Sequence, residues 1–423
     1  MIAALNELDV MSTDVGNAYL NTVCREKVHV KYGRELFGTE HEAKYAIISR
    51  ALYGIKTSGA SWRHHLAAEI RELGFMNTKA DVDVYRRKSA KTDGTPYYEY
   101  LVVYVDDNIC VSEDPSKWMN VLASRCRLRE VGIPKRFLGS DIKRKQYIDE
   151  NEYQVYCWAF GSDTYVRDTY NLAESQMKKH GLSYPITRRH GSSSPLSSQA
   201  YRPELDSSEI CNEELMGMYQ NLLGVLRWII ELGRIDIQLE TSLLSQYLAQ
   251  LSLGHLRQAC NIFRYLKKVN SGYVVMDPTQ SDIEWIGEKG EAHPRERARY
   301  MKELYPDAKD NLPHDMPVPL GKGVNISCFV DTDHAGNKIT RRSHTGVIIF
   351  LNSSPIIWYS KRRNTVESYT FGSEMVAMKQ AMDMIEGLIY KLRMFSIPVE
   401  REARVMCDNM AAVKSGSNPD ARL

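Results

Sequence analysis

The sequence feature that most constrains the fold is a pair of apolar, β-branched and aromatic runs within residues 100–111, with two adjacent acids between them. Runs of this kind around a short polar point predict a β-hairpin with Asp106-Asp107-Asn108 at its tip. Two adjacent carboxylates repel each other, so they are stable together in water or around a cation. The tip is therefore either a solvated turn or half of a divalent-metal site, and the choice depends on a third carboxylate elsewhere.

Composition indicates an ordinary folded protein. The 423 residues predict two to three domains, and 43% hydrophobic with 26% charged residues argues against disorder. The formal net charge is only +2, so nucleic-acid binding would need local basic residues. No apolar run reaches the length of a membrane span, and the first residues lack the basic segment of a secretory signal. The eight cysteines form no C-x-x-C pair, which argues against a zinc module or disulfide framework and predicts a reducing intracellular setting.

The third carboxylate is predicted at Asp14, which ends a short extended segment before a helix-like turn. An acid at the end of one strand can meet two acids on a neighbouring hairpin, and three carboxylates can hold two metal ions. Asp9 lies in a similar local sequence and competes with Asp14 for this role. Asp14 could also act simply as a helix N-cap.

Three stretches together carry a family resemblance. Residues 14–20 (DVGNAYL) and 104–107 (YVDD) resemble motifs A and C of a reverse transcriptase, and residues 51–62 (ALYGIKTSGASW) between them resemble a motif of copia-type retrotransposon polyproteins. Each motif alone is weak, but their order and spacing favour Asp14 over Asp9. The resemblance implies that Asp14, Asp106 and Asp107 bind two catalytic Mg²⁺ (or Mn²⁺) ions for phosphoryl transfer.

The same resemblance implies a nucleotide-binding surface. Tyr19 falls at the position of the aromatic residue that stacks under the sugar and excludes a 2′-hydroxyl, although simple core packing would also explain it. Gly54 falls where glycine lets the backbone approach the nucleotide. Tyr53 and Lys56 are expected to line the same pocket. Downstream, the basic cluster Arg86, Arg87, Lys88 and Lys91 lies on a predicted hairpin, where it could contact phosphate or form a solvated face.

Helical periodicity is predicted for much of the middle of the chain, with loops between the helices. The Ser-rich residues 183–209 and the charged, Pro-rich residues 278–323 are read as a loop and a linker, the latter with a short helix at 295–305. Residues 132–142 resemble the family segment that supports the primer terminus, or form an ordinary turn with Phe137 and Leu138 buried. The predicted helices are residues 62–73, 117–130, 165–180, 214–232, 235–251 and 255–268.

The last hundred residues form another unit, predicted as strands 324–330, 347–351 and 356–360, helix 373–394, strand 403–407 and the start of a helix. This order, with residues 329–336, 370–375 and 407–409, resembles the RNase H unit of the same polyproteins. The resemblance implies that Asp331, Glu374 and Asp408 bind two metal ions that hydrolyse the RNA of an RNA–DNA hybrid, with Asp333 as the runner-up ligand. Alternatively, Glu374 is a first-turn acid favoured by the helix dipole and Asp408 is an N-cap.

These observations predict a multidomain α+β and α/β protein. Residues 1–150 would form a reverse transcriptase palm, residues 151–277 a mostly helical thumb or connection, residues 278–323 a linker, and residues 324–423 an RNase H-like domain. The implied function is RNA-directed DNA polymerase with ribonuclease H activity. The implied partners are an RNA template, a DNA primer, an RNA–DNA hybrid, dNTPs and other parts of a Gag-Pol polyprotein, in a cytoplasmic particle and without a membrane.

A second reading is a non-catalytic retrotransposon relic that at most binds nucleic acid. In the family, the basic fingers lie upstream of motif A, yet only thirteen residues precede Asp14. The fourth metal ligand of the RNase H family lies beyond the position where this sequence stops, at Leu423. Both ends are therefore expected to be truncated, and little primer extension is expected of the chain by itself.

Overall fold

The computed structural model describes residues 1–31, 45–148, 154–182, 193–197, 201–280 and 314–417. The helix predicted at 295–305 lies outside these residues, as do residues 183–192 and 198–200 of the Ser-rich loop. None of the helices described within them is long and apolar enough to cross a membrane.

A six-stranded sheet organises the N-terminal part of the chain. Its strands run in the order β4-β5-β6-β7-β1-β8. Helix α2 (Ser58–Glu72) and helix α3 (Pro115–Ala123) contribute Trp62, Leu66 and Met119 to its core. The strands are β1 (Asp9–Val15), β4 (Met76–Asn77), β5 (Val84–Ala90), β6 (Pro96–Tyr104), β7 (Asp107–Ser112) and β8 (Leu128–Gly132). A 3₁₀ turn at Ala18–Asn21 follows β1. Separately, the exposed strands β2 (His29–Lys31) and β3 (Tyr45–Ile47) pair with each other in antiparallel orientation.

The hairpin predicted at residues 100–111 is confirmed, with a different tip. Tyr104 pairs with Asp107, so the turn residues are Val105 and Asp106, and Asp107 already belongs to β7. The shift arises because Val105 takes a left-handed φ of 57°, as the first residue of a two-residue hairpin turn can. The buried Asn108 side chain then donates to the Asp106 carbonyl at 2.9 Å.

The helix predicted at 117–130 is wrong in its second half. Helix α3 begins after the Asp114 N-cap and ends at Ala123, and Leu128–Gly132 is strand β8. Strand β8 pairs with β1, with Asp14 opposite Arg129. Without this pairing β1 would be an exposed sheet edge, so the strand hydrogen bonds outweigh the local helical preference.

The middle of the chain combines a second sheet with a helical core. The sheet order is β12-β11-β10-β9, all antiparallel. Its strands are β9 (Arg136–Phe137), β10 (Ser140–Ile148), β11 (Gln154–Gly161) and β12 (Tyr273–Met276). The helices are α4 (Asp163–Lys179), α5 (Glu213–Glu231), α6 (Gln238–Leu244) and α7 (Leu253–Lys268). Strands β10 and β11, which lie on either side of the end predicted for the palm at residue 150, pair with each other.

Two further expectations for this region are wrong. Residues 235–251 do not form one helix, because α6 is flanked by 3₁₀ turns at Ile235–Ile237 and Ser245–Tyr247. The Ser245 hydroxyl donates to the Thr241 carbonyl at 2.6 Å, a bond that disturbs helices. Leu138 is exposed with a left-handed φ of 48°, so the alternative of a buried Leu138 also fails.

A third sheet forms the C-terminal part, in the order β15-β14-β13-β16. Strands β13 (Ile326–Asp333), β14 (His344–Leu351) and β15 (Ser354–Arg362) are antiparallel neighbours, whereas β16 (Arg404–Met406) runs parallel to β13. Helix α8 (Thr370–Met394) packs on this sheet, and α9 (Met410–Ser417) follows β16. The strand and helix order predicted for this unit is confirmed.

The N-terminal and C-terminal parts are in direct contact. Helix α1 (Ile2–Leu5) places Leu5 in the core of the C-terminal sheet. From β6, the Tyr98 hydroxyl donates to the Val318 carbonyl at 2.9 Å and the Tyr100 hydroxyl donates to the Phe395 carbonyl at 2.8 Å. Two β6 residues just upstream of the Asp106 turn are therefore tied to the C-terminal part.

Two candidate active sites

The first site is built on the turn between β6 and β7. Asp14 and Asp107 are directly opposite in the β1–β7 pairing, and Asp106 occupies the turn beside them. The Val15 amide donates to the Asp106 carbonyl at 2.8 Å, which fixes β1 against the turn. The register therefore brings the three predicted carboxylates to one edge of the sheet.

Electrostatics at this site favour a bound cation. Burial, followed by the charge of Asp106, raises the pKa of Asp14 above its usual range. Burial raises the pKa of Asp107 as well, and the charges of Asp106 and Asp14 add to the rise. Like charges this close destabilise one another, and a divalent cation would relieve the repulsion.

Asp9, the competing candidate, lies elsewhere. It pairs with Ser112 at the opposite end of β1 and lies 3.8 Å from the Arg144 guanidinium. The structure therefore agrees with the choice of Asp14 over Asp9 as the neighbour of the hairpin acids.

The predicted nucleotide-binding residues are also near the turn. The Tyr19 and Tyr53 rings are 4.4 Å apart, and burial followed by the charge of Asp106 raises the pKa of Tyr53. Gly54 takes a φ of 92°, a conformation that favours glycine, and the space around it is open within the protein. Lys56 is exposed two residues further on.

Two residues at this site were missed from the sequence. The Trp62 indole donates to the Val105 carbonyl at 2.6 Å and so holds the left-handed turn residue. Arg129 lies opposite Asp14 in the strand pairing. The Arg129 Nε packs against Gly16, because a Cβ added at Gly16 would lie 2.7 Å from this atom. Assigning residues 117–130 to a helix hid Arg129, because a helix would not have paired this residue with β1.

One member of the basic cluster at residues 86–91, Arg87, has a structural role and is not free to bind a ligand. Arg87 pairs with the buried Glu99 at 2.7 Å and lies 3.7 Å from the centre of the Trp118 ring. Glu99 also accepts hydrogen bonds from Ser112 at 2.8 Å and Trp118 at 3.1 Å. Arg87 is therefore not free for the phosphate contact suggested by the sequence, because its charge neutralises a carboxylate under the hairpin.

The second site draws on three elements of the C-terminal part. Asp331 is on β13, Glu374 is near the start of α8, and Asp408 follows β16. The parallel β13–β16 pairing aligns Phe329 with Met406, two residues before each aspartate. Glu374 is only 3% exposed, and the Cys407 thiol donates to its Oε2 at 3.6 Å.

The donor atoms of this site are tightly grouped. Glu374, Cys407 and Asp408 each place a potential metal-ligand atom within 4.8 Å of the others, and no other such group of three occurs in the part of the chain that the structure describes. Burial raises the pKa of Glu374, the Cys407 hydrogen bond opposes that rise, and the charges of Asp408 and Asp331 add to it. Cys407 was not predicted as part of the site.

The alternative roles for these acids can now be compared with the structure. The Asn409 side chain accepts from the Ala412 amide at 3.0 Å, so Asn409 and not Asp408 caps α9. Asp333, the runner-up ligand, accepts a hydrogen bond from the His344 amide at the end of the β13–β14 pairing. Asp331 is exposed and accepts from the Thr332 amide at 2.7 Å.

The known proteins that this chain resembles are all of one kind. The reverse transcriptase (RNA-dependent DNA polymerase) family matches residues 1–174. The chain is 21% identical over 416 residues to the Retrovirus-related Pol polyprotein from transposon RE1 of Arabidopsis thaliana, covering 97% of this chain and 23% of that protein. The corresponding protein from transposon TNT 1-94 of Nicotiana tabacum is 20% identical, over 99% of this chain and 27% of its own length.

A shorter relative is covered almost entirely. The transposon Ty5-1 protein of Saccharomyces cerevisiae is 22% identical over 353 residues, which is 82% of this chain and 92% of that protein. By contrast, the chain spans about a quarter of the length of the plant polyproteins. Together with the motifs at residues 14–20, 51–62 and 104–107, these matches show that residues 1–174 match the reverse transcriptase family and that nearly the whole chain is similar to retrotransposon Pol proteins.

Proposed function

We propose that the chain is an RNA-directed DNA polymerase whose catalytic carboxylates are Asp14, Asp106 and Asp107. The observation that carries this proposal is the β1–β7 register, which sets Asp14 opposite Asp107 with Asp106 in the adjoining turn. In this proposal residues 1–150 act as the palm and residues 151–277 as the thumb or connection. The substrates are an RNA template, a DNA primer and dNTPs.

The residues present suit two Mg²⁺ or Mn²⁺ ions. Carboxylate oxygens are the ligands that hard divalent cations prefer. The raised pKa values of Asp14 and Asp107 reflect burial first and then repulsion between carboxylates, and such ions relieve that repulsion. When bound, the ions would lower the pKa of the primer 3′-hydroxyl and stabilise charge on the pyrophosphate.

The other residues orient the reactants in this proposal. Tyr19 and Tyr53, whose rings are in contact, form the face that packs against the sugar and leaves no partner for a 2′-hydroxyl. Gly54 and Lys56 follow on the exposed side of that pocket. Trp62 holds the Val105 carbonyl, so the turn that presents Asp106 keeps one conformation when substrate binds.

Primer extension on an RNA template with Mg²⁺ tests this function. We expect low but measurable extension by the full chain, its loss in Asp106→Asn, and its retention in Asp9→Asn. The Asp9 variant is a matched control because it removes the same charge from the far end of β1. Binding of template and primer with no extension under any divalent metal would instead support the alternative of a non-catalytic relic.

We further propose that residues 324–417 cut the RNA strand of an RNA–DNA hybrid. The supporting observation is the convergence of Glu374, Cys407 and Asp408, with Asp331 close enough for its charge to act on Glu374. The carboxylates of Glu374, Asp408 and Asp331 suit Mg²⁺ or Mn²⁺. The Cys407 thiol adds a preference for a softer metal, which favours Mn²⁺ over Mg²⁺.

Hybrid cleavage by the full chain tests the second activity. We expect cleavage that is lost in Asp408→Asn and kept in Asp383→Asn, since Asp383 is on the exposed face of α8 in an ion pair with Lys379. Equal cleavage by the wild-type protein and the Asp408 variant would show that the nuclease comes from elsewhere.

A further inference from the structure

Arg363 is an unusual residue beside the second carboxylate site. It follows strand β15, is 7% exposed, and its backbone amide donates to the Ser343 carbonyl at 2.8 Å. Its Nε donates to the buried Thr345 hydroxyl at 2.7 Å. The backbone of Arg363 is thus fixed by the bond to Ser343, and its guanidinium is fixed in the protein interior by the bond to Thr345.

The rest of this guanidinium has no hydrogen-bond partner. Neither Nη1 nor Nη2 is exposed to solvent, and no acceptor among the described residues bonds to them. Glu367 is nearest, with its Oε2 3.6 Å from Nη1 and likewise unbonded. A buried guanidinium with a single hydrogen bond is costly unless negative charge surrounds it, so the location calls for a reason.

Part of that negative charge comes from the acidic site. Arg363 bonds to the Ser343 carbonyl, and the Ser343 hydroxyl lies 3.3 Å from that of Ser373, the residue before Glu374. Glu367, then Glu374 and Asp333, oppose the lowering of the Arg363 pKa by burial. In turn, the Arg363 charge favours the ionised form of Glu374, against the charges of Asp408 and Asp331. The guanidinium is too enclosed to contact a nucleic-acid phosphate, so its influence must pass through the protein.

We propose that Arg363 is a positioning residue that acts as the internal counter-cation of the Glu374–Cys407–Asp408 site. The inference rests on the proposed nuclease function of that site. The fixed positive charge stabilises the grouped carboxylates before a metal ion binds, and it also repels the ion when it arrives. Arg363 therefore lowers the affinity for divalent metal, while Glu367 partly neutralises Arg363 and so raises that affinity.

This gives opposite signs for two substitutions. In Arg363→Gln the repulsion is lost, and we expect Mn²⁺ to bind about tenfold more tightly, since one charge near a partly buried divalent ion acts on both of its charges. In Glu367→Gln the guanidinium is less neutralised, and we expect binding weaker by about threefold. Arg363→Lys keeps the charge and should stay close to the wild-type affinity.

The measurement is Mn²⁺ binding to the full chain, followed by the electron paramagnetic resonance signal of the free ion. All variants carry Asp107→Asn, which weakens the hairpin site so that the second site dominates. Arg362→Gln is the matched control, because it removes the same charge one residue earlier, from the end of β15. We expect little change in this control.

The outcomes separate the two proposals. If Asp408→Asn leaves Mn²⁺ binding unchanged, the metal-dependent nuclease fails whatever Arg363 does. If Asp408→Asn abolishes binding but Arg363→Gln binds no more tightly than wild type, only the counter-cation role is overturned. Should Arg363→Gln fail to fold, Glu367→Gln still decides, because unchanged or tighter binding in that variant contradicts the role. An absence of binding in wild type and in Arg363→Gln alike also overturns it.

Discussion

The two carboxylate sites of this chain are constructed in opposite ways. The hairpin site takes its acids from two neighbouring strands and a two-residue turn, so backbone pairing alone sets their positions. The C-terminal site takes its acids from two strand ends and a helix, and its Glu374 is buried beside a thiol and a guanidinium. Strand register therefore forms the hairpin site, whereas the C-terminal site forms only when separate elements pack together.

This difference determines what each site needs from its surroundings. In the hairpin site, the charge of Asp106 adds to the burial that raises the pKa values of Asp14 and Asp107, and Arg129 opposes this rise at Asp14. In the C-terminal site, Cys407 and Arg363 already favour the ionised form of Glu374. The first site should therefore depend more on added metal, and the second more on its own protein groups.

The largest expected effect is a double dissociation between the sites. Asp107→Asn should reduce primer extension by about 10³-fold and leave hybrid cleavage unchanged, because removal of one metal-ligand charge costs several kcal/mol in the transition state. Asp408→Asn should do the reverse. Both rates are measured on one RNA–DNA substrate. Loss of both activities in either variant would contradict independent sites and indicate that the two parts act as one unit.

The next effect concerns the buried ion pair under the hairpin. Arg87→Met should lower the free energy of unfolding by about 3 kcal/mol, because it leaves the Glu99 carboxylate buried without its cation. The measurement is urea unfolding followed by tryptophan fluorescence. Arg87→Met combined with Glu99→Met should cost less than Arg87→Met alone, since no unpaired charge then remains. An additive loss in the double variant would mean that packing over Trp118, and not charge, is what Arg87 contributes.

The sequence predicted the locally constructed site better than the assembled one. The apolar runs and the acids at residues 100–111 were sufficient to predict the hairpin and the identity of its acids. The sequence did not predict that Trp62 bonds to the Val105 carbonyl, 43 positions away, because no local pattern records such a contact. Residues 117–130 were assigned to a helix because the need of β1 for a partner strand is a property of the folded sheet.

At the C-terminal site the acids were predictable and their partners were not. The predicted strand and helix order puts Asp331, Glu374 and Asp408 on or next to the elements that carry them, although β13 ends at Asp333 and α8 begins at Thr370, so both extend beyond their predicted ends. Cys407 was overlooked because a lone cysteine reads as an ordinary buried residue, and its bond to Glu374 depends on the helix meeting the strand end. Arg363 looked like one of three consecutive basic residues at 361–363, and only the fold shows that it is enclosed.

The response to acid should also separate the two parts of the molecule. Burial lowers the pKa of His344 in the folded protein to about 4 from an ordinary value of 6.5. As the pH falls, His344 therefore binds a proton in the unfolded protein before it does so in the folded protein. The C-terminal part should lose stability as the pH falls from 6.5 towards 4, by at most about 3 kcal/mol, with the raised pKa of Glu374 offsetting some of the loss. Asp14 and Asp107 have raised pKa values, so the hairpin part should gain stability as the pH falls towards their unfolded value of 3.8.

Amide hydrogen exchange across this pH range measures the two parts separately, after correction for the intrinsic exchange rate. Protection of β14 should fall on acidification and should fall less in His344→Gln, which cannot be protonated. Protection of β1 and β7 should rise in the absence of metal. Parallel changes in the two sheets would contradict the contrast, since they would show that the direct contacts from Tyr98 and Tyr100 make the parts unfold together.

The smallest expected effect concerns how each site holds one of its aspartates in place. Asp106 is held by a strained turn and a tryptophan, whereas Asp408 precedes a helix capped by Asn409. Asn409→Ala should destabilise the start of α9 by about 1 kcal/mol, seen as faster hydrogen exchange at residues 410–413, with reduced hybrid cleavage and unchanged primer extension. Asn409→Ser keeps a capping oxygen and should restore both protection and cleavage. If Asn409→Ala exchanges faster but cleaves normally, strand β16 alone sets the position of Asp408. The C-terminal site would then resemble the hairpin site, in which strand pairing positions the acids.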